Sequence, residues 1–192
     1  MPPKKRKMPP AKKAEKKAKS VETASPEAAG GDATEERYTF FYTVKSPFSQ
    51  FYPAEFTVDG VKYMHAEQYM MHQKAVLFGD DAIAEQMLQE VNPPACKALG
   101  RKVQGFDQQR WNDNRCIIVK KGNFAKFSQN PDLKRLILDT DGTVLVEASP
   151  RDCIWGIGLG ADNPKAQRKA TWRGKNLLGY ALTEVREQLK QE

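Results

Sequence analysis

This 192-residue chain has only three cysteines, only two histidines and no long apolar run. Cys96, Cys116 and Cys153 are too few and too scattered for a disulfide framework or a zinc site, so the sequence predicts a reducing compartment and no bound metal. His65 and His72 have no third ligand and are expected in supporting roles. Nothing approaches the ~20 apolar residues of a membrane-spanning helix, and there is no signal-peptide core; the expectation is a soluble intracellular protein without membrane contact. A uniformly basic surface for gripping duplex DNA is also missing. The formal charge is +7, but the first twenty residues hold nine Lys/Arg against one Glu, leaving the remainder with a single net negative charge.

The chain does have enough apolar matter, 40% of residues, for one ordinary domain with a tail. Residues 1–20 are Pro, Ala and Lys without apolar periodicity, which predicts a disordered basic arm. Its Pro3–Lys7 cluster has the density of a nuclear import signal and would bind nucleic acid weakly, while a purely solubilising tail is the plainer reading. Residues 21–36 turn acidic and small, as a linker does, and a domain begins near Arg37 and runs to residue 192. Tyr38–Thr43 reads as a strand, and Glu55–Val58, Asp59-Gly60 and Val61–Tyr63 as a hairpin. Helices are expected over Tyr63–Phe78, Asp81–Val91 with Asp80 or Asp81 as cap, Cys96–Lys102 after a break at Pro93-Pro94, Pro131–Leu138 and Leu177–Leu189. A longer helical pattern over Asp107–Phe127 carries a stripe of Trp111, Ile118 and Phe124 with Val119 nearby, and Gly122 as a kink or interruption. Thr143–Glu147 reads as a strand. The fold class is α+β, a mainly helical single domain with a small β-sheet, preceded by the basic arm.

Four stretches invite chemistry. In Tyr63–Phe78, Glu67 and Lys74 are seven apart, so they share a helical stripe with Met70, Met71 and Phe78. Burial of that stripe would make either a structural ion pair or a prepared acid/base and amine. In WGIGLG, residues 155–160, a dinucleotide fingerprint is excluded because no helix follows at once. Gly156, Gly158 and Gly160 suit either an anion nest or a plain turn, with Trp155 in the core in the second case. Asp152 precedes this loop, as a ligand contact or a turn starter. In Trp172–Gly179, Asn176 opens a helix whose N-terminus can receive an anion beside Arg173 and Lys175, or is only a cap. In SPFSQFYP, residues 46–53, the aromatics Phe48, Phe51 and Tyr52 either stack on a base or sugar, with Ser49 and Gln50 at its edge, or plug the core. Trp111 carries the same two readings.

From Tyr38 onward the chain resembles the NADAR (NAD and ADP-ribose related) family. The resemblance rests on Phe48–Pro53, Ala66–Met71 with Lys74, Leu99-Gly100-Arg101, Trp111, Val146–Pro150, Asp152 with Trp155–Gly158, and Trp172–Gly179, in order over about 150 residues. Gln50 stands where the family usually has Asn. The resemblance implies an N-glycosidase that removes ADP-ribose from guanine in DNA, or one acting on a ribosylamino pyrimidine intermediate of riboflavin, or a non-catalytic ADP-ribose reader. It assigns Glu67, Lys74 and Asp152 to catalysis, with Lys74 either an amine nucleophile that forms an imine or an electrostatic contact to phosphate. Ser49, Gln50, Phe51, Tyr52, Trp111, Trp155, Gly156, Gly158, Arg173, Gly174 and Asn176 go to substrate binding. It implies no cofactor and no metal, a monomer, ADP-ribosylated DNA and ADP-ribose as partners, and, with the basic cluster, a nuclear location, otherwise cytoplasmic.

Overall fold

The computed structural model describes residues 36–192, and the basic arm and all but the last residue of the acidic linker lie outside the described residues. The described part is helix-rich α+β. It comprises β1 (Tyr38–Phe41), β2 (Phe56–Val58), β3 (Val61–Tyr63), α1 (Ala66–Phe78), α2 (Asp81–Gln89), α3 (Pro93–Gly100), α4 (Gln108–Ser128), α5 (Pro131–Leu138), β4 (Val144–Glu147) and α6 (Leu177–Leu189), with two 3₁₀ turns at Pro164–Gln167 and Lys169–Thr171.

Local signals explain most boundaries. Asp59 and Gly60 both take positive φ (50° and 80°), the conformation a two-residue hairpin turn requires, and β2 pairs antiparallel with β3. Tyr63 therefore ends a strand. The following helix starts at Ala66, because extended His65 caps it by accepting at Nδ1 from the Gln68 N–H. Asp80 caps α2 through the Ile83 N–H. Pro93 and Pro94, read as a break, instead fill the first turn of α3 behind the Asn92 cap, where their missing N–H groups cost nothing.

Tertiary contacts organise the rest. β1 pairs in parallel with β4, from Tyr38 opposite Val144 to Phe41 opposite Glu147. α4 packs against α1, α5 and α6, and α6 lies on β4. Gly122 neither kinks nor interrupts α4. It lets α4 approach α1, since a Cβ at Gly122 would run into the Tyr69 ring. Gly179 serves α6 likewise, facing the Leu145 carbonyl of β4. The core between these elements holds Met70, Met87, Val119, Phe127, Ile137, Leu145, Leu182 and Val185.

Candidate active site

The apolar stripe read on α4 keeps Trp111 and Val119 buried but shares its face with polar residues. Its buried face runs through Trp111, Arg115, Val119, Asn123 and Lys126, whereas Ile118 and Phe124 are half-buried. Residues four apart stack on one side of a helix, so this face presents two cations and an amide inward, toward α1 and the 46–53 loop. Lys126 donates to the Pro47 and Ser49 carbonyls (2.7 and 3.0 Å), and Asn123 Nδ2 donates to Gln50 Oε1 (2.9 Å). The Glu67 N–H donates to the Gln50 carbonyl (2.9 Å). The loop is thereby pinned to α4 on one side and to the first turn of α1 on the other. Phe48 is its core plug, between Phe41 and Phe127. Ser49 Oγ accepts from the Phe51 N–H, and the half-buried Phe51 and Tyr52 rings lie near the Lys97 and Lys126 ammonium groups.

Against this loop sits Glu67, only 4% exposed, with Oε1 shielded from solvent and without a hydrogen-bond partner. Burial pushes its pKa up to about 7; Glu147 and Asp152 add to the rise, and Lys97 and Arg101 oppose it. Glu147, at the end of β4, is raised to about 7 for the same reasons, burial first and Asp152 next, and its Oε2 is also buried without a partner. The structure thus brings three carboxylates, from α1, β4 and the glycine loop, into one electrostatic neighbourhood, with Lys97 and Arg101 of the α3 end facing them.

Lys74 does not pair with Glu67. Seven residues along a helix amount to about 10 Å of rise, so a shared stripe puts the two groups two turns apart. Lys74 Nζ instead donates to the Gly100 carbonyl (2.7 Å) and lies over the rings of Phe106 (4.5 Å) and Trp111 (5.8 Å). Burial, with Arg101 nearby, lowers its pKa. Arg101 acts on both Glu67 and Lys74, which places it between the two ends of the site.

The glycine loop does not act as an anion nest through its best-placed amides. The Ile157 N–H donates to the Glu147 carbonyl and the Gly158 N–H to that of Asp152; the Arg173 and Gly174 N–H groups share the Ile157 carbonyl, and the Asn176 N–H takes that of Gly156. Gly156 and Gly174 are needed because these backbones touch: a Cβ on Gly174 would collide with the Gly156 carbonyl. Asn176 is fully buried at φ 52° and does not cap α6 with its side chain. Its amide bridges the Glu147 N–H and the Leu145 carbonyl of β4. Asp152 accepts from the Ile154 and Trp155 N–H groups (both 2.8 Å), which fixes its carboxylate at the loop entrance. Arg173 and Lys175 point outward and are exposed.

His65 and His72 are structural. His65 Nε2 meets the Val91 carbonyl while its Nδ1 caps α1, and His72 Nδ1 meets the Tyr63 hydroxyl. Sequence reasoning assigned no role to Glu147, Lys97, Arg101, Arg115 or Asn123. The Trp111, Arg115, Asn123 spacing along one helical face was the signal available for the last two.

A separate cavity of about 360 Å³ between α2 and α3, lined by residues such as Gln86, Glu90 and Leu99, holds none of the catalytic candidates. Among the described residues no helix is long and apolar enough to cross a membrane, and no three His, Cys, Asp or Glu are grouped to hold a metal ion.

Comparison with known proteins places the chain in a family. A family described as the NADAR domain matches residues 40–190. An N-glycosidase, R617, of Acanthamoeba polyphaga mimivirus is 40% identical over 167 residues, covering 81% of this chain and 98% of that protein. The Caenorhabditis elegans protein irg-1 is 39% identical over 168 residues, 79% of each. The NMR structure of the Escherichia coli protein YbiA superposes with a TM-score of 0.67 at 29% identity, covering 82% of this chain and 87% of that one.

Proposed function

The chain belongs to the NADAR family, and on that premise we propose that it removes ADP-ribose from guanine in ADP-ribosylated DNA. At the level of reaction class it is an N-glycosidase, a hydrolase of N-glycosyl bonds. The observation that carries the reading is Glu67: a buried carboxyl with one oxygen unpartnered and a pKa near 7, beside a second such carboxyl. Breaking a ribose–nitrogen bond develops positive charge at the anomeric carbon and negative charge on the departing base. A carboxyl poised near neutrality can deliver a proton to that base and hold the charge that remains.

Lys74 supplies the amine. Its lowered pKa raises the neutral fraction, which attacks the anomeric carbon as the bond to the base breaks. The amine loses its proton to solvent, and Glu67, two turns away, regains from solvent the proton it gave to the base. The ribose ring then opens to an imine as its ring oxygen takes a proton, and water hydrolyses the imine to free ADP-ribose and the lysine. Asp152, fixed at the loop entrance, assists these transfers, while Trp111 and Trp155 frame the sugar. The Pro3–Lys7 cluster, outside the described residues, would direct the enzyme to the nucleus, and deleting residues 1–20 should abolish nuclear accumulation.

An oligonucleotide carrying ADP-ribosylated guanine tests the substrate. Conversion to unmodified DNA with release of ADP-ribose is expected, and borohydride should trap an adduct that Lys74→Ala lacks. Tight ADP-ribose binding without turnover would make the chain a reader. Turnover confined to a ribosylamino pyrimidine would move the assignment to small metabolites.

A further inference from the structure

Three cationic side chains are buried among the described residues, and two of them are held. Lys126 donates to two carbonyls, and Arg186 donates to the Thr140 carbonyl and hydroxyl, the Thr143 carbonyl and Glu187. Arg115 is the third. It is 8% exposed, forms no hydrogen bond or ion pair with another described residue, and its Nε is fully shielded and unpartnered. A guanidinium whose Nε is shielded and unpartnered carries a desolvation cost, which folds keep where a ligand can relieve it.

Its position shows what that is. Arg115 lies one turn beyond Trp111 on the site-facing side of α4, with its guanidinium 5.9 Å from the ring centroid of Trp155, the residue that leads into the glycine loop. Two turns further on, Asn123 also has an unpartnered oxygen, Oδ1. The cations that act on Glu67 are Lys97 and Arg101, so the charge of Arg115 is not used to balance the carboxylates. An arginine facing an indole presents its fork of N–H groups to one side, a geometry that matches two oxygens of a phosphate.

We propose that Arg115 is the phosphate anchor of the site, binding non-bridging oxygens of the diphosphate attached to the substrate ribose; this rests on the ADP-ribose reading above. It assigns to a side chain on α4 the role that the glycine loop amides, occupied by neighbouring carbonyls, do not fill. Arg115 would hold the ADP-ribosyl fragment far from the breaking bond, so it contributes to binding rather than to the chemical step.

Calorimetric titration of the full chain with ADP, ADP-ribose and adenosine provides the test, on wild type, Arg115→Gln and Arg115→Lys. Wild type should favour both phosphate-bearing ligands over adenosine. Arg115→Gln should weaken those two roughly 10- to 100-fold and leave adenosine unchanged, with Arg115→Lys intermediate. With modified oligonucleotide, Arg115→Gln should raise KM and keep kcat. Unchanged ADP affinity in either folded variant overturns the proposal, as does a wild type whose Tm rises no more with ADP than with adenosine. The two readings fail separately. Arg115-dependent ADP binding without DNA turnover removes the DNA substrate and keeps the anchor, while turnover with an unaltered KM in Arg115→Gln removes the anchor and keeps the substrate.

Discussion

Two regions look equally suited to ligand chemistry in sequence, and the structure separates them. On α1, α4 and the end of β4, Glu67, Glu147, Arg115 and Asn123 each keep a buried polar atom without a partner. Around the glycine loop and the Arg173–Asn176 turn, the N–H groups of Ile157, Gly158, Arg173, Gly174 and Asn176 all have carbonyl partners. Incomplete hydrogen bonding is costly, and folds tolerate it where a ligand will complete it. The first region therefore holds the groups a ligand can complete, and the second is the frame that holds β4, Asp152 and Trp155 in place.

Glu67→Gln should break the comparison hardest. Gln keeps the shape but has no transferable proton, so kcat on the modified oligonucleotide should fall by about 10³-fold or more while the protein remains folded. A loss below about tenfold would transfer the acid role to Glu147, and Glu147→Gln measured alongside would show it.

In the frame, the expected loss is of stability. A Cβ at Gly174 meets only backbone: the Gly156 carbonyl, Cys153 Cα and the Ile157 carbonyl carbon. No rotamer change relieves that, so Gly174→Ala should cost about 3 kcal/mol in denaturant unfolding, at the upper end for overpacked sites. A variant as stable as wild type but without ADP affinity would return the loop to the ligand.

How legible this was in the sequence depended on distance along the chain. The hairpin at Asp59-Gly60, the Asp80 cap and the Pro131 start of α5 were readable because each signal is contained within one turn. The parallel pairing of β1 with β4 was not, because it joins residues about a hundred apart and leaves no local mark. On α4 the reading was incomplete: apolar periodicity found Trp111 and Val119, which are buried, and Ile118 and Phe124, which pack against the core, but not Arg115, Asn123 and Lys126, which share the buried face. A helix that buries charge for function or for loop anchoring hides from a hydrophobic pattern. Glu67 was found because it stands among apolar residues, whereas Glu147 ends a short strand and gains its character only from Asp152 and Lys97.

The smallest expected effect separates the regions by pH. The Glu67 carboxyl is raised from 4.5 to about 7 in the fold, so the folded state binds more protons than the unfolded chain between those values. Its contribution to stability is full below about pH 4.5 and is lost as pH rises through about 7. Glu67→Gln cannot lose it. The variant and wild type should be about equally stable near pH 4.5, and the variant should be more stable by about 1–3 kcal/mol at pH 8. His65 and His72, whose pKa values are lowered by burial, push stability the other way in the acid range, but they are present in both proteins and cancel in the difference. Thermal unfolding of the pair across pH 4.5 to 8 measures it. A difference that does not grow with pH would mean that Glu67 ionises as freely in the fold as in water, which the shielding of its Oε1 argues against.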